Sequence, residues 1–143
     1  MTREIHFCRE CYSSYGVELH HIIYRSENKN LERCKLNYAY LCQEHHRGTY
    51  GVHGSKGAKL NRKLKLEFQN KLEVVLDKQY LTKEEINQVL QISDKAVNRL
   101  LKLLTLQKGK YVREDVIRQC MGGRLIIEEG VNNEGYKNQI LGC

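Results

Sequence analysis

This sequence predicts an α+β chain of two small modules joined by a long helix, and three observations predict it. Residues 19–54, LHHIIYRSENKNLERCKLNYAYLCQEHHRGTYGVHG, hold five of the six histidines and two of the six cysteines, with short β-prone runs beside them. From residue 58 an apolar side chain recurs every fourth position, as Leu60, Leu64, Phe68, Leu72 and Leu76, which is one stripe of a long helix. Beyond residue 82 two shorter helical patterns follow, parted by a brief break around Ile92 and Ser93.

The totals bound the reading. A chain of 143 residues makes one ordinary domain or two small ones. A first segment of about 55 residues is near the limit of what burial alone stabilises, so a metal or disulfides are expected there. The opening MTREIHFCRE has no apolar core, so no secretory signal is expected and metal ligation is the better use of the cysteines. No apolar run reaches about 18 residues, which predicts no transmembrane helix and no membrane partner. The expected location is the cytoplasm of a bacterium or of a phage-infected host. A net charge of +7 and a pI near 9.1 suit a polyanionic partner, because lysine and arginine on phosphate release counterions. A plain basic surface would show the same totals.

In chain order, Cys8 and Cys11 bracket a turn-rich knuckle. Residues 17–24 read as a strand and residues 26–32 as a loop. Residues 36–40 read as a second strand, and a short helix begins near Cys42 and stops before Gly48. Gly51, Gly54 and Gly57 are expected to keep the next stretch irregular. The long helix carries Lys59, Arg62, Lys63 and Lys71 away from its stripe, read as solvated surface. Thr82 and Glu85 form a capping box, and Ser93 caps the next helix, which buries Val97, Leu100, Leu101 and Leu104. A turn at residues 107–110, a wing strand at 111–112 and a third helix over 113–121 follow. Residues 125–127 are a strand or a docking segment. The expected domains are thus 1–57, a linking helix over 58–81, a helical module over 82–127, and a polar tail over 128–143.

Two spaced pairs carry the chemistry. Cys8-x-x-Cys11 and Cys42-x-x-His45 offer three thiolates and an imidazole, a closed tetrahedral set suited to structural zinc. The competing readings are free thiols at Cys8 and Cys11, or Cys34 in place of one ligand. Cys120 and Cys143 are bystanders. Neighbours on a helix point about 100° apart, so His46 faces a second locus if His45 takes zinc. His20 or His21 faces it too. Neutral imidazoles can hold a divalent cation on a phosphate, and one more histidine can take a proton from water. Those are the parts of phosphodiester hydrolysis.

The order His20-His21-Ile22, Asn37-Tyr-x-x-Leu41-Cys42, His45-His46 resembles the HNH (ββα-metal, His-Me finger) endonucleases. The flanking C-x-x-C, the C-x-x-H and the glycine-rich GTYGVHG resemble the small zinc-containing members from phages and prophages. The likeness covers roughly residues 8–57. It implies that His21 is the general base and that His20 and His46 hold the catalytic cation, Mg²⁺ by default. Asn37 would orient the base or the turn between the strands, with Asn28 and Asn30 as competitors. His20 and His21 serve together only if the strand twists, since strand neighbours point to opposite faces. Arg25 and Arg47 are phosphate-clamp candidates, and no role is required of His53.

Residues 82–121, centred on LTKEEINQVLQISDKAVNRLLK, resemble the helix-turn-helix of the excisionase and MerR-like class. The likeness implies that the second helix enters the major groove of double-stranded DNA. Lys95, Asn98, Arg99 and Lys102 are then its contacts, with Lys108, Lys110 and Arg113 on phosphate near the wing. Without the likeness, the segment is a helical hairpin for packing, or for a homodimer or another protein partner. The expected function is metal-dependent DNA cleavage targeted by the second module. The rivals are a non-cutting zinc-containing DNA regulator and a phage-encoded protein-binding inhibitor.

Overall fold

Strand β1 (Glu18–His21) pairs antiparallel with β2 (Tyr38–Leu41), and the short helix α1 (Gln43–Arg47) follows at once, in a computed structural model that describes residues 4–127. The register sets Glu18 opposite Leu41 and His20 opposite Ala39. The small Ala39 leaves space on that face for the His20 ring, which is 3% exposed. Both strands are shorter than the sequence predicts. Residues 22–24 leave the sheet because Asn37 pairs with the backbone there. The expected start of β2 is instead a 3₁₀ turn (Lys35–Asn37), and another 3₁₀ turn (Lys29–Leu31) lies in the same loop.

Asn37 is fully buried and closes this loop. Its Oδ1 accepts from the Ile23 N–H at 2.7 Å, while its Nδ2 donates to the carbonyls of Ile23 at 3.1 Å and Leu31 at 3.3 Å. A buried amide with its bonds made is stable; without it the Ile23 N–H and carbonyl would be left unpaired, while the Leu31 carbonyl would keep the Cys34 N–H.

Helix α2 (Ala58–Val75) buries Leu64, Phe68, Gln69 and Leu72, with Leu76 buried at its end. The predicted stripe is therefore core. The linking helix stops short of residue 81, however, because Tyr80–Leu81 form a strand, β3, that the sequence reading missed. Its partner β4 (Tyr111–Val112) is the expected wing strand, and only pairing with it across about thirty residues of chain makes β3 visible as a strand. Lys59, Arg62, Lys63 and Lys71 are exposed as expected, but the basic side of α2 also makes ties across the surface. Lys63 pairs with Glu10, Lys65 with Glu27, and Arg62 donates to the Ile127 carbonyl.

Helix α3 (Lys83–Leu90) starts on the predicted capping box: Glu85 N–H donates to Thr82 Oγ1 at 3.1 Å, and Thr82 N–H donates to Glu85 Oε1 at 2.9 Å. Gln91 takes a left-handed conformation at φ 53°, and the Asn87 side chain clasps Ile92 through both backbone groups. Ser93 then caps α4 (Asp94–Leu101), which buries Val97, Leu100 and Leu101. After β4, helix α5 (Arg113–Cys120) completes the module. Residues 125–127 are a docking segment, not a strand: Gln69 exchanges two hydrogen bonds with the backbone of Ile126. One buried apolar cluster runs through both halves of the chain. The predicted polar tail over 128–143 lies outside the described residues.

Replacing Thr82 by Ala removes the N-cap of α3. Chemical denaturation should then show a loss of about 1 kcal/mol, with metal content unchanged.

Candidate metal centres

The knuckle after residue 7 folds by its own backbone. Cys8 N–H donates to the Ser13 carbonyl, Tyr12 N–H donates to the Cys8 carbonyl, and Tyr12 takes φ 64°. Arg9 N–H then donates to the Tyr40 carbonyl, which ties the knuckle to β2. Cys42 stands at the start of α1, and His45 lies one turn on. These elements gather Cys8, Cys11, Cys42 and His45 into one cluster. Cys11 Sγ and Cys42 Sγ are 3.7 Å apart, Cys8 Sγ and His45 Nδ1 3.6 Å, and Cys42 Sγ and His45 Nδ1 3.2 Å. Around a tetrahedral zinc, ordinary bond lengths give edges of about 3.8 Å between sulfurs and about 3.6 Å from sulfur to nitrogen. The spacing fits, so this Cys3His group could hold a metal such as zinc. Burial opposes ionisation of Cys8. Backbone N–H groups of Cys42, Cys11 and Glu10 outweigh it and bring the thiol down to about 6, favouring the thiolate a metal needs. Cys34 is buried and outside this group, so it replaces none of the four.

A second cluster forms from His20, His46 and His53, each offering one ring nitrogen within 4.8 Å of the others. The sequence reading required no role of His53. The coil of residues 48–57 supplies one. Gly48, Gly51, Gly54 and Gly57 recur every third residue, and each successive glycine N–H donates to the carbonyl of the one before. The backbone packs against itself so closely that a Cβ on Gly54 would lie 1.8 Å from the Gly48 carbonyl oxygen. Two further bonds, Val52 N–H to His45 O and His53 N–H to His46 O, fold the coil back on α1 and bring the His53 ring to 4.8 Å from that of His46. The spacing of those glycines was the available signal.

The donor chemistry of this cluster suits a cation. His20 Nε2 is buried and has no hydrogen-bond partner. Burial first, then the neighbouring His46 and His53, hold His20 at about 3, so its ring is neutral and its lone pair is available. His46 Nδ1–H donates to Glu18 Oε1 at 2.7 Å, which leaves Nε2 as its ligand atom. A carboxylate behind a ligating imidazole fixes its tautomer and ring direction. Hydrogen bonds from His46 and then Arg47 hold the Glu18 carboxyl below its ordinary value. Glu18 was absent from the sequence reading because an acidic residue at the start of a strand carries no motif of its own.

His21 is the last residue of β1, where the chain leaves the sheet, and its ring packs edge-on against Tyr38 at 5.4 Å, outside the three-histidine cluster. Its Nε2–H donates to the Glu32 carbonyl at 2.9 Å, so Nδ1 keeps the lone pair. Asn37 reaches neither the His20 nor the His21 ring; it braces the loop, as described above. Arg25 pairs with Glu32 at 3.3 Å, and Arg47 donates to Glu18 at 3.0 Å. Lys95, Asn98 and Arg99 in α4 and Lys102 at its C-cap are all exposed. Asn98 accepts from Lys83 at 3.1 Å, and Arg99 donates across the modules to Asn30 at 3.2 Å.

Comparison of the chain with protein-family models, with curated proteins and with solved structures finds no match. The chemistry therefore rests on the residues themselves.

Metal analysis should find about one tightly held zinc per chain and a second, more weakly held divalent ion. His53→Ala should lose the second ion and keep the first. Gly54→Ala should do the same while costing on the order of 3 kcal/mol in denaturation. Retention of both ions in both variants would remove the three-histidine centre.

Proposed function

We propose that the chain is a metal-dependent DNA endonuclease of the HNH type, brought to duplex DNA by its C-terminal module. The observation that carries this reading is the unpartnered, buried Nε2 of His20 inside a three-imidazole cluster, next in sequence to a histidine held with Nδ1 open. A divalent cation bound by His20, His46 and His53 would supply positive charge to the phosphate and to the leaving 3′-oxygen.

The protein side of the reaction follows from the rings. His21 Nδ1 takes a proton from water, and the resulting hydroxide oxygen bonds to phosphorus. The bond from phosphorus to the 3′-oxygen breaks, and that oxygen takes a proton from solvent, leaving a 5′-phosphate and a 3′-hydroxyl. The Glu32 carbonyl keeps Nε2–H engaged, so Nδ1 is the ring atom left to receive the proton. Glu18 keeps His46 in register with the cluster. The net charge of +7 supports a polyanionic substrate.

The second module contributes a basic face. We read α3 and α4 as a helix-turn-helix with β3 and β4 as a short wing. Lys95 and Lys102 are its phosphate contacts. Asn98 and Arg99 are engaged within the chain, which weakens their case as base readers.

Wild-type protein with Mg²⁺ should nick supercoiled plasmid, and His21→Ala should be slower by about 100-fold or more. Equal rates, or no cutting by either protein, would remove the endonuclease reading. In shift assays across a salt series, Lys95→Ala and Lys102→Ala should each reduce the slope of log affinity against log salt by about 1. Binding without salt dependence would remove the DNA partner.

A further inference from the structure

The loop between β1 and β2 links the two halves of the molecule. At its inner end, the Glu32 N–H closes the Lys29–Leu31 turn on the Lys29 carbonyl, and the Glu32 carbonyl receives the His21 Nε2–H. At its outer end the same turn is gripped from the C-terminal module. Arg99 Nε donates to Asn30 Oδ1 at 3.2 Å, and Asn28 Nδ2 donates to the Gln119 carbonyl at 3.0 Å. Asn28 also caps the turn, accepting from Asn30 N–H at 3.1 Å. Leu31, fully buried between these bonds, anchors the turn from below. Only Leu31 separates Asn30 from Glu32, so a shift at one is carried to the other by rigid backbone.

We infer that the C-terminal module is a positioning device for the His21 ring: Arg99 and the end of α5 hold the loop whose Glu32 carbonyl sets the tautomer and direction of that imidazole. This rests on the reading of His21 as general base, and it gives Arg99 a task other than the DNA contact its sequence position suggests. Arg99 is a positioning residue here, since it touches neither His21 nor the histidine cluster. The bond it makes is between charged and neutral side chains on a surface. Its effect is on geometry, and a small displacement of a catalytic group is enough to slow a reaction markedly.

The test uses the full chain, zinc-loaded, with Arg99→Ala, Asn30→Ala and the double variant. Nitrogen-15 spectra of the His21 ring, taken without DNA at a pH where the ring is neutral, read the tautomer directly. Wild type should show the proton on Nε2; all three variants should show a mixture of the two tautomers, and the double variant should be no worse than either single one. In plasmid cutting, kcat should fall by about tenfold with KM held within about twofold. A role in DNA binding alone predicts the reverse: higher KM for Arg99→Ala, no change for Asn30→Ala, and an unaltered His21 spectrum, which would overturn the inference. An altered spectrum with unchanged kcat would overturn it too. If the wild type does not cut at all, the endonuclease reading falls by itself, and the ring spectrum still decides whether the module sets His21.

Discussion

Two consecutive histidines on a five-residue helix divide the site into its two centres. Adjacent helical residues diverge by about 100°, so His45 turns to the three cysteines and His46 turns to His20 and His53. Neither direction is negotiable once α1 is in place. The Cys3His group holds both ends of α1's surroundings: Cys42 is its N-cap, and the Cys8–Cys11 knuckle closes over it. Whatever fixes that group fixes the direction of His46, and with it the second cluster. A metal-sized knot of four donors thus sets the frame within which Glu18 and the glycine coil hold His46 and His53 beside His20.

The same economy appears in Glu18. Its carboxylate accepts from His46 and from Arg47, two neighbouring residues of one helix, and it sits on β1 two residues before His20. One side chain therefore aligns α1 on the strand that carries a ligand of the same cluster. A substitution there would disturb the ring of His46 and the docking of α1 together.

Much of this arrangement could be read from the order of residues. The four knot donors, the long helical stripe, the capping box at Thr82 and the cap at Ser93 are local patterns with local causes. Strand lengths were not legible, because Asn37 ends β1 by bonding to Ile23, fourteen residues earlier in the chain. The strand pair of β3 and β4 was half hidden for the same reason: two residues make no alternating pattern. His53 escaped because its place depends on four glycines letting backbone touch backbone, and a glycine series reads from sequence as irregular chain. Arg99 looked like a base reader on its helix, and only the folded loop shows Asn30 beside it.

The basic surplus bears on what kind of nucleic-acid protein this would be. Arg9, Lys63 and Lys65 are paired with Glu67, Glu10 and Glu27, and Arg62 and Arg113 donate to backbone carbonyls at the ends of other elements. These cations join the linking helix to both modules, so their charge is already partly answered within the chain. Exposed pairs of this kind add little stability each; their combined effect is to hold direction. The three ion pairs each engage one acid as well as one cation, so the net charge of +7 is unchanged by them. What the ties add is a rigid relation between the histidine cluster and the helical module. That rigidity is what a loop gripped at one end by α4 and α5 and bonded at the other to His21 requires.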